Sequence, residues 1–143
     1  MNHEIKAIAA SNRQKAIKAI QLVSASLSDY QPFDPKRAYT PKELEPYDAL
    51  ADRFVRVVEC VLRYFRSYEM LEFAEQSDTT RGLLNRMEKL DLVSQAKYWL
   101  SMRNIRSRIV HDYLPEQTAQ MFAEIAEVYS AELEMVYKNI QHA

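Results

Sequence analysis

The sequence has few of the residues that interrupt or cross-link a chain. It contains one glycine, five prolines and one cysteine among 143 residues, whereas 48% of its residues are hydrophobic. Because glycine and proline are the strongest helix breakers, their scarcity favours long helices. The single cysteine, Cys60, excludes an internal disulfide, which suits a reducing cytoplasm.

The chain also lacks a large net charge and a long apolar run. Its formal net charge is −1, so its overall field does not indicate a nucleic-acid or membrane partner. No apolar run reaches the roughly 18 residues that a membrane span needs, and no charged and then apolar leader opens the chain. We therefore expect a cytoplasmic protein with one domain, residues 1–143.

Apolar residues recur at steps of three and four, which is the spacing of one face of a helix. The periodicity predicts five helices, over residues 2–28, 41–73, 79–89, 95–111 and 115–140. The segment 29–41 holds three of the five prolines and is expected to connect the first two helices. These elements predict an all-α fold, an antiparallel up-and-down bundle of four to five helices.

The helix starts and the buried faces can also be predicted. Thr40 and Glu43 form a capping box with Pro41 at the first helical position. Ser77 or Asp78 is expected to cap the third helix, and Ser94 the fourth. The predicted core faces are Ile5, Ile8, Ala9, Asn12, Ala16, Ile20, Val23 and Leu27 in the first helix, Leu44, Tyr47, Leu50, Phe54, Val57, Val58, Val61, Phe65, Tyr68 and Leu71 in the second, Tyr98, Met102, Ile105 and Ile109 in the fourth, and Phe122, Ile125, Tyr129, Leu133, Val136 and Ile140 in the last.

Charge is segregated towards the end of the chain. Four basic residues and no acid lie from Lys97 to Arg108, whereas five acids and no Lys or Arg lie from Glu116 to Glu134. The two stretches either pair across the fold, or the basic one lines a positive cleft for phosphate. On the long helix, Asp52 and Glu59 lie seven residues apart and are either solvent-facing charges or an acidic pair lining a cleft.

The segment 105–114, IRSRIVHDYL, concentrates the side chains that could carry chemistry. At about 100° per residue, Arg103, Arg106 and Tyr113 share one flank of the predicted helix, whereas His111 lies about 140° from Arg106. One regular helix therefore cannot direct both Arg106 and His111 at one phosphate. Either the helix unwinds before His111, because Leu114-Pro115 breaks it, or two subunits supply the two groups.

An imidazole and a guanidinium together suit metal-free RNA cleavage. A neutral histidine can accept the proton of a ribose 2′-hydroxyl and later donate one to the leaving oxygen, while an arginine forks onto phosphate oxygens. Since DNA lacks the 2′-hydroxyl, such a site is RNA-selective. The simpler interpretation is that His111 is a surface group at a helix end, that the arginines balance the helix dipole, and that Tyr113 packs in the core.

The same segment resembles the signature of the HEPN superfamily, specifically the HepT-like toxins and the nucleotidyltransferase substrate-binding subunits. That signature is Arg, a polar residue that is usually Asn, three further residues, His, one residue and Tyr. Arg106, His111 and Tyr113 match it, and Ser107 stands in place of the Asn. Upstream, TTRGLLNRMEKLDLVS resembles the short helix before the family's motif helix, and RFVRVVECVLRYF resembles its long central helix.

The resemblance implies a homodimer in which the motifs of two subunits line one cleft. It implies a toxin that is a metal-independent endoribonuclease without a cofactor, with Arg106 as phosphate clamp and His111 as acid–base. Its partner would be a cognate minimal nucleotidyltransferase antitoxin that silences the toxin by adenylylating Tyr113, because the added AMP blocks RNA by charge and bulk. The candidate substrate-binding residues are Arg103, Ser107, Arg108 and Tyr113, and the candidate cleft acids are Glu59 and Asp52.

Two other functions compete with this one. The family also includes non-catalytic subunits that bind a substrate or nucleotide for a nucleotidyltransferase, and Ser107 in place of Asn favours such a subunit. The chain could instead be a plain helical interaction protein that uses the motif for capping and salt bridges. In that case Arg106→Ala would change stability but no RNA property.

Overall fold

The computed structural model describes residues 2–111 and 114–141, and this part of the chain is helical without a strand. The elements are α1 (Asn2–Ser28), α2 (Pro41–Phe73), α3 (Thr80–Lys89), α4 (Ala96–His111), α5 (Pro115–Glu124), a π-helical segment (Ile125–Tyr129) and α6 (Ser130–Gln141). The last three follow one another without interruption, as the predicted last helix requires. The all-α prediction is therefore confirmed. None of the described helices is both long and apolar enough to cross a membrane.

Helix α2 is the central element of the bundle. It runs antiparallel to α1, as two hydrogen bonds between the helices show. The Arg53 guanidinium donates to the Leu22 carbonyl (3.0 Å), and the Asn12 amide donates to the Ser67 hydroxyl (2.6 Å). Helix α4 packs on α2 and α3, and α6 packs on α1. The motif helix α4 is therefore held beside α2 for much of its length.

The core is continuous between the helices, and most of its predicted faces are confirmed. The six apolar residues predicted for the last helical stretch are all buried. In α1, however, Ile8 is 55% exposed, because it lies in an open groove at the edge of the α1–α2 contact. The fully buried large side chains include Leu50, Phe54, Phe65, Leu83, Leu84, Met87, Trp99, Met102, Ile105, Ile125 and Ile140.

The buried face of α4 agrees with the prediction at Met102 and Ile105 but differs from it at both ends. Trp99 is completely buried, whereas Tyr98 is half-buried and Ile109 is exposed. The Trp99 ring packs edge-on against Phe65 with 6.0 Å between ring centroids. Because an indole buries more apolar area than a phenol, Trp99 takes the core position and Tyr98 moves to the edge.

Helix α2 starts at the predicted capping box. The Glu43 N–H donates to the Thr40 hydroxyl oxygen (3.2 Å), and the Thr40 N–H donates to the Glu43 carboxylate (3.0 Å). This backbone N–H lowers the pKa of Glu43, because it stabilises the ionised carboxylate. A hydrogen bond from α2 holds the connector before it, because the Tyr47 phenol donates to the Gln31 carbonyl (2.6 Å). Burial raises the pKa of Tyr47 to about 12.

The predicted caps of α3 and α4 are wrong. Thr79 caps α3, since its hydroxyl accepts the Gly82 N–H at 2.9 Å. Ser77 and Ser94 are instead bound by buried carboxylates from distant positions, Glu69 and Glu132. Each carboxylate accepts both the N–H and the O–H of its serine.

These two pairs, Glu69–Ser77 and Glu132–Ser94, are called the carboxylate–serine anchors. Glu69 is fully buried and also pairs with the Arg86 guanidinium at 3.1 Å. Glu132 is 6% exposed and also accepts the Trp99 indole N–H at 2.8 Å. The anchors fix the chain on both sides of α3 and thereby set the position at which α4 begins.

Candidate functional site

The candidate site lies on the outward face of the second half of α4. Met102 and Ile105 of this helix are buried against the bundle. Arg103 and Arg106 therefore project away from the core, and the Arg106 side chain is 71% exposed. An exposed guanidinium on a rigid helix is available to an anionic ligand without rearrangement of the core.

Helix α4 stays regular as far as His111, which is exposed at its last residue. The predicted alternative in which the helix unwinds before His111 is therefore wrong. His111 follows Arg106 by five positions on a regular helix, which corresponds to about 140° of rotation and about 7.5 Å along the axis. Within one subunit, the guanidinium and the imidazole consequently face different directions.

The Arg106 guanidinium faces the Glu59 carboxylate of α2, with 3.7 Å between Nη1 and Oε1. The Arg106 side chain is 71% exposed and that of Glu59 is 49% exposed, so water screens the pair and its strength is small. Asp52, the second predicted acid, lies two turns earlier on α2 and pairs with Arg56 at 2.7 Å. The motif arginine thus pairs with Glu59, whereas Asp52 pairs with Arg56.

An open groove of about 690 Å³, called the α2–α4 groove, contains this pair. Three guanidiniums and three carboxylates lie on its walls, together with small and branched apolar side chains. Asp52 and Glu59 are both exposed, and both lie on a wall of this groove. Each is therefore a solvent-facing charge and also a groove residue. The lining residues are Asp48, Ala51, Asp52, Val55, Arg56, Glu59, Cys60, Arg63, Arg106 and Ile109.

Arg56 and Arg63 are groove residues that were not predicted from the sequence. They lie seven residues apart on α2 and therefore share one helix face, with Glu59 between them. Their spacing in the sequence indicates a shared helix face. It does not indicate a groove, because the groove exists only where α4 packs beside α2. Within the described residues, no hydrogen bond or ion pair engages the Arg63 guanidinium.

Arg108 lies on a different side of α4 and has a structural contact. Its guanidinium pairs with the Glu124 carboxylate of α5, and both side chains are about three-quarters buried. Burial also raises the pKa of the neighbouring Tyr129 phenol. Pairing across the fold is therefore found for Arg108. Arg106 lines a groove in which three guanidiniums face three carboxylates, and a positive cleft for phosphate stays a prediction.

The remaining candidate residues surround this face. Arg103 and Ser107 are exposed on α4. Exposed apolar side chains flank the motif, with Ile109 at 39%, Val110 at 59% and Leu114 at 59% exposure. Tyr113, the predicted modification site, lies outside the described residues. In residues 2–111 and 114–141, no three His, Cys, Asp or Glu side chains are grouped so that they could hold a metal ion.

Comparisons with known proteins add no assignment. No family model, no curated protein and no solved structure matches this chain. The resemblance to the HEPN superfamily therefore rests on Arg106, His111 and Tyr113, on the two upstream segments that resemble the family's helices, and on the helical layout.

Proposed function

We propose that this chain is a HepT-like endoribonuclease toxin of the HEPN superfamily, which cuts RNA without a metal ion. The observation that carries the proposal is the placement of Arg106. Its guanidinium is exposed on the wall of an open groove, where it lies 3.7 Å from the Glu59 carboxylate, a long and loose ion pair. A phosphate group, which offers paired oxygens to the guanidinium fork, can displace that carboxylate.

The chemistry requires one proton acceptor and one cation. His111 takes the proton of the ribose 2′-hydroxyl, and the resulting oxygen attacks the adjacent phosphorus. The bond from phosphorus to the 5′-oxygen breaks, and that oxygen takes up a proton. The products are a 2′,3′-cyclic phosphate and a 5′-hydroxyl. Arg106 stabilises the negative charge that develops on the phosphate oxygens in the transition state.

The active form in this proposal is a homodimer. Arg106 and His111 of one subunit face different directions, so a two-fold mate has to bring its own His111 towards Arg106. The exposed apolar residues Ile109, Val110 and Leu114 support a partner at this face, because contiguous exposed apolar side chains are typical of interfaces.

The cognate minimal nucleotidyltransferase antitoxin acts on Tyr113 in this proposal. Adenylylation of that phenol places a phosphate and a base near the motif, which repels RNA and blocks its access. Co-expression with the antitoxin should add the mass of one AMP to the wild-type chain. The Tyr113→Phe variant should remain unmodified, and modification of both chains would contradict the assignment.

The cleavage activity can be tested directly in EDTA with single-stranded RNA. Wild type, Arg106→Ala and His111→Ala are compared with two control variants, His3→Ala and Arg81→Ala, which remove exposed residues of the same types that do not line the α2–α4 groove. Cleavage that persists in EDTA, is lost in the two motif variants and is kept in both controls is the expected result. Equal cleavage by wild type and His111→Ala would refute the proposal.

A non-catalytic subunit of a nucleotidyltransferase is the second candidate function. Ser107 in place of the usual Asn favours it, since the polar group next to Arg106 then differs from that of the ribonucleases. Tight association with the nucleotidyltransferase, no toxicity on expression and no cleavage in EDTA would select this function.

A further inference from the structure

A second groove adjoins the α2–α4 groove and carries positive charge. It measures about 240 Å³ and lies between the first turns of α1 and the second half of α2, with Ile5, Ile8 and Gln76 on its walls. Two guanidiniums, Arg63 and Arg66, also line it, and none of its described lining residues is a carboxylate. This second groove is called the α1–α2 groove.

Arg63 belongs to both grooves. It lines the α2–α4 groove together with Arg106 and the α1–α2 groove together with Arg66. On α2, Arg63 lies four residues, or about 6 Å along the axis, beyond Glu59, the contact of Arg106. The three guanidiniums of Arg106, Arg63 and Arg66 thus follow one another across the surface.

The two arginines of the α1–α2 groove differ in how they are held. One Arg66 nitrogen donates to the Thr80 hydroxyl at 3.0 Å, which orients this guanidinium and leaves its other donors available. Arg63 is exposed, and within the described residues its guanidinium has no hydrogen bond or ion pair. An arginine that makes no ion pair gains more from a phosphate than one that must first leave a carboxylate.

We infer that the α1–α2 groove is a second phosphate-binding site, in which Arg63 and Arg66 bind the backbone of the RNA strand that flanks the cleaved bond. The strand passes Arg106, crosses Arg63 and continues along the α1–α2 groove. Contacts to phosphate carry no base information, so this site extends the RNA footprint without adding sequence preference. The inference rests on the proposed function, because it takes the strand at Arg106 as its starting point.

The test uses 2′-O-methyl RNA oligonucleotides of increasing length, which lack the attacking hydroxyl and remain intact. Binding to wild type, Arg63→Ala, Arg63→Lys and the control Arg81→Ala is measured against salt concentration. Arg63→Ala should weaken binding of the longer oligonucleotides roughly three- to tenfold at low salt and reduce the salt slope by about 0.7, the value for one phosphate contact to a single strand. Arg63→Lys should keep the slope, and a dinucleotide should not distinguish Arg63→Ala from wild type.

The possible outcomes separate this inference from the proposed function. If wild type cleaves RNA and Arg63→Ala binds long oligonucleotides as Arg81→Ala does, the flanking site is overturned and the ribonuclease stands. If Arg63→Ala weakens inorganic phosphate and long oligonucleotides equally, the groove binds free phosphate and the strand path is wrong. If wild type binds no RNA of any length, both the ribonuclease and the flanking site are overturned.

Discussion

The Arg106 guanidinium lies 3.7 Å from the Glu59 carboxylate, across the boundary between α4 and α2. The residue proposed to bind phosphate therefore already has an anionic neighbour in the absence of RNA. Under the proposed function, a phosphate of the RNA competes with this carboxylate, and the competition sets how strongly Arg106 holds the RNA.

Glu59→Gln should therefore tighten RNA binding. Loss of the carboxylate frees Arg106, and the gain should be roughly two- to fivefold at low salt, since exposed ion pairs are weak. Asp52→Asn is the matched control: it removes the same charge from the same groove but leaves Arg106 and Glu59 paired. Binding measurements that give equal gains for both variants would show a general charge effect and not competition at Arg106.

Two inactive variants should complement each other if the site is shared between subunits. When Arg106→Ala and His111→Ala chains exchange subunits at equal amounts, half of the dimers are mixed and each has one intact site. Cleavage should then recover to about a quarter of the wild-type rate, because the two-fold axis pairs Arg106 of one chain with His111 of the other. Each variant alone should remain inactive.

The control for this experiment is the double variant Arg106→Ala, His111→Ala. Mixed with Arg106→Ala, it should restore nothing, since no dimer then contains both an intact Arg106 and an intact His111 across the axis. An absence of recovery in the first mixture, with subunit exchange shown independently, would contradict a site built from one arginine and one histidine of opposite subunits.

Glu132→Ala should destabilise the fold strongly. It removes the acceptor for the Ser94 N–H, the Ser94 O–H and the Trp99 indole N–H, and the buried indole donor is left without a partner. The free energy of unfolding should fall by roughly 3 kcal/mol. Urea unfolding followed by Trp99 fluorescence measures it, since this is the only tryptophan. The neighbouring Glu134→Ala, an exposed position, should change little.

The capping box predicts a dependence of stability on acid pH. The Thr40 backbone N–H lowers the pKa of Glu43 below its usual 4.5. A carboxyl whose folded pKa is depressed stabilises the fold fully above its unfolded pKa, and the contribution is lost as pH falls through the folded pKa. The advantage of wild type over Glu43→Gln in melting temperature should therefore shrink below about pH 4.5, because the glutamine caps without ionising. A difference that stays constant to low pH would contradict this.

Most of the helical framework was predictable because it depends on local signals. The capping box at Thr40 and the apolar spacing from Phe122 to Ile140 are properties of neighbouring residues, and both are confirmed. The spacing of apolar residues does not determine which face of a helix is buried when two large side chains, such as Tyr98 and Trp99, are adjacent. For this reason the buried face of α4 was predicted at Tyr98 and is found at Trp99.

Long-range polar contacts were not predictable for a different reason. Serine is a common residue at the N-cap of a helix, which is why Ser94 was predicted as a cap. Instead, its N–H and its O–H both donate to the buried Glu132 carboxylate, 38 residues later in the chain. Likewise, the sequence shows a basic and an acidic stretch, but only the packing of α4 between α2 and α5 determines that Arg106 meets Glu59 and Arg108 meets Glu124.

The regularity of α4 up to His111 also specifies how the proposed ribonuclease could be redesigned to act as a monomer. Two residues inserted between Arg106 and His111 would lengthen their separation to seven, and the imidazole would rotate to within about 20° of the line of the guanidinium. A single chain would then carry both groups on one flank, and its reaction rate per subunit would no longer depend on protein concentration.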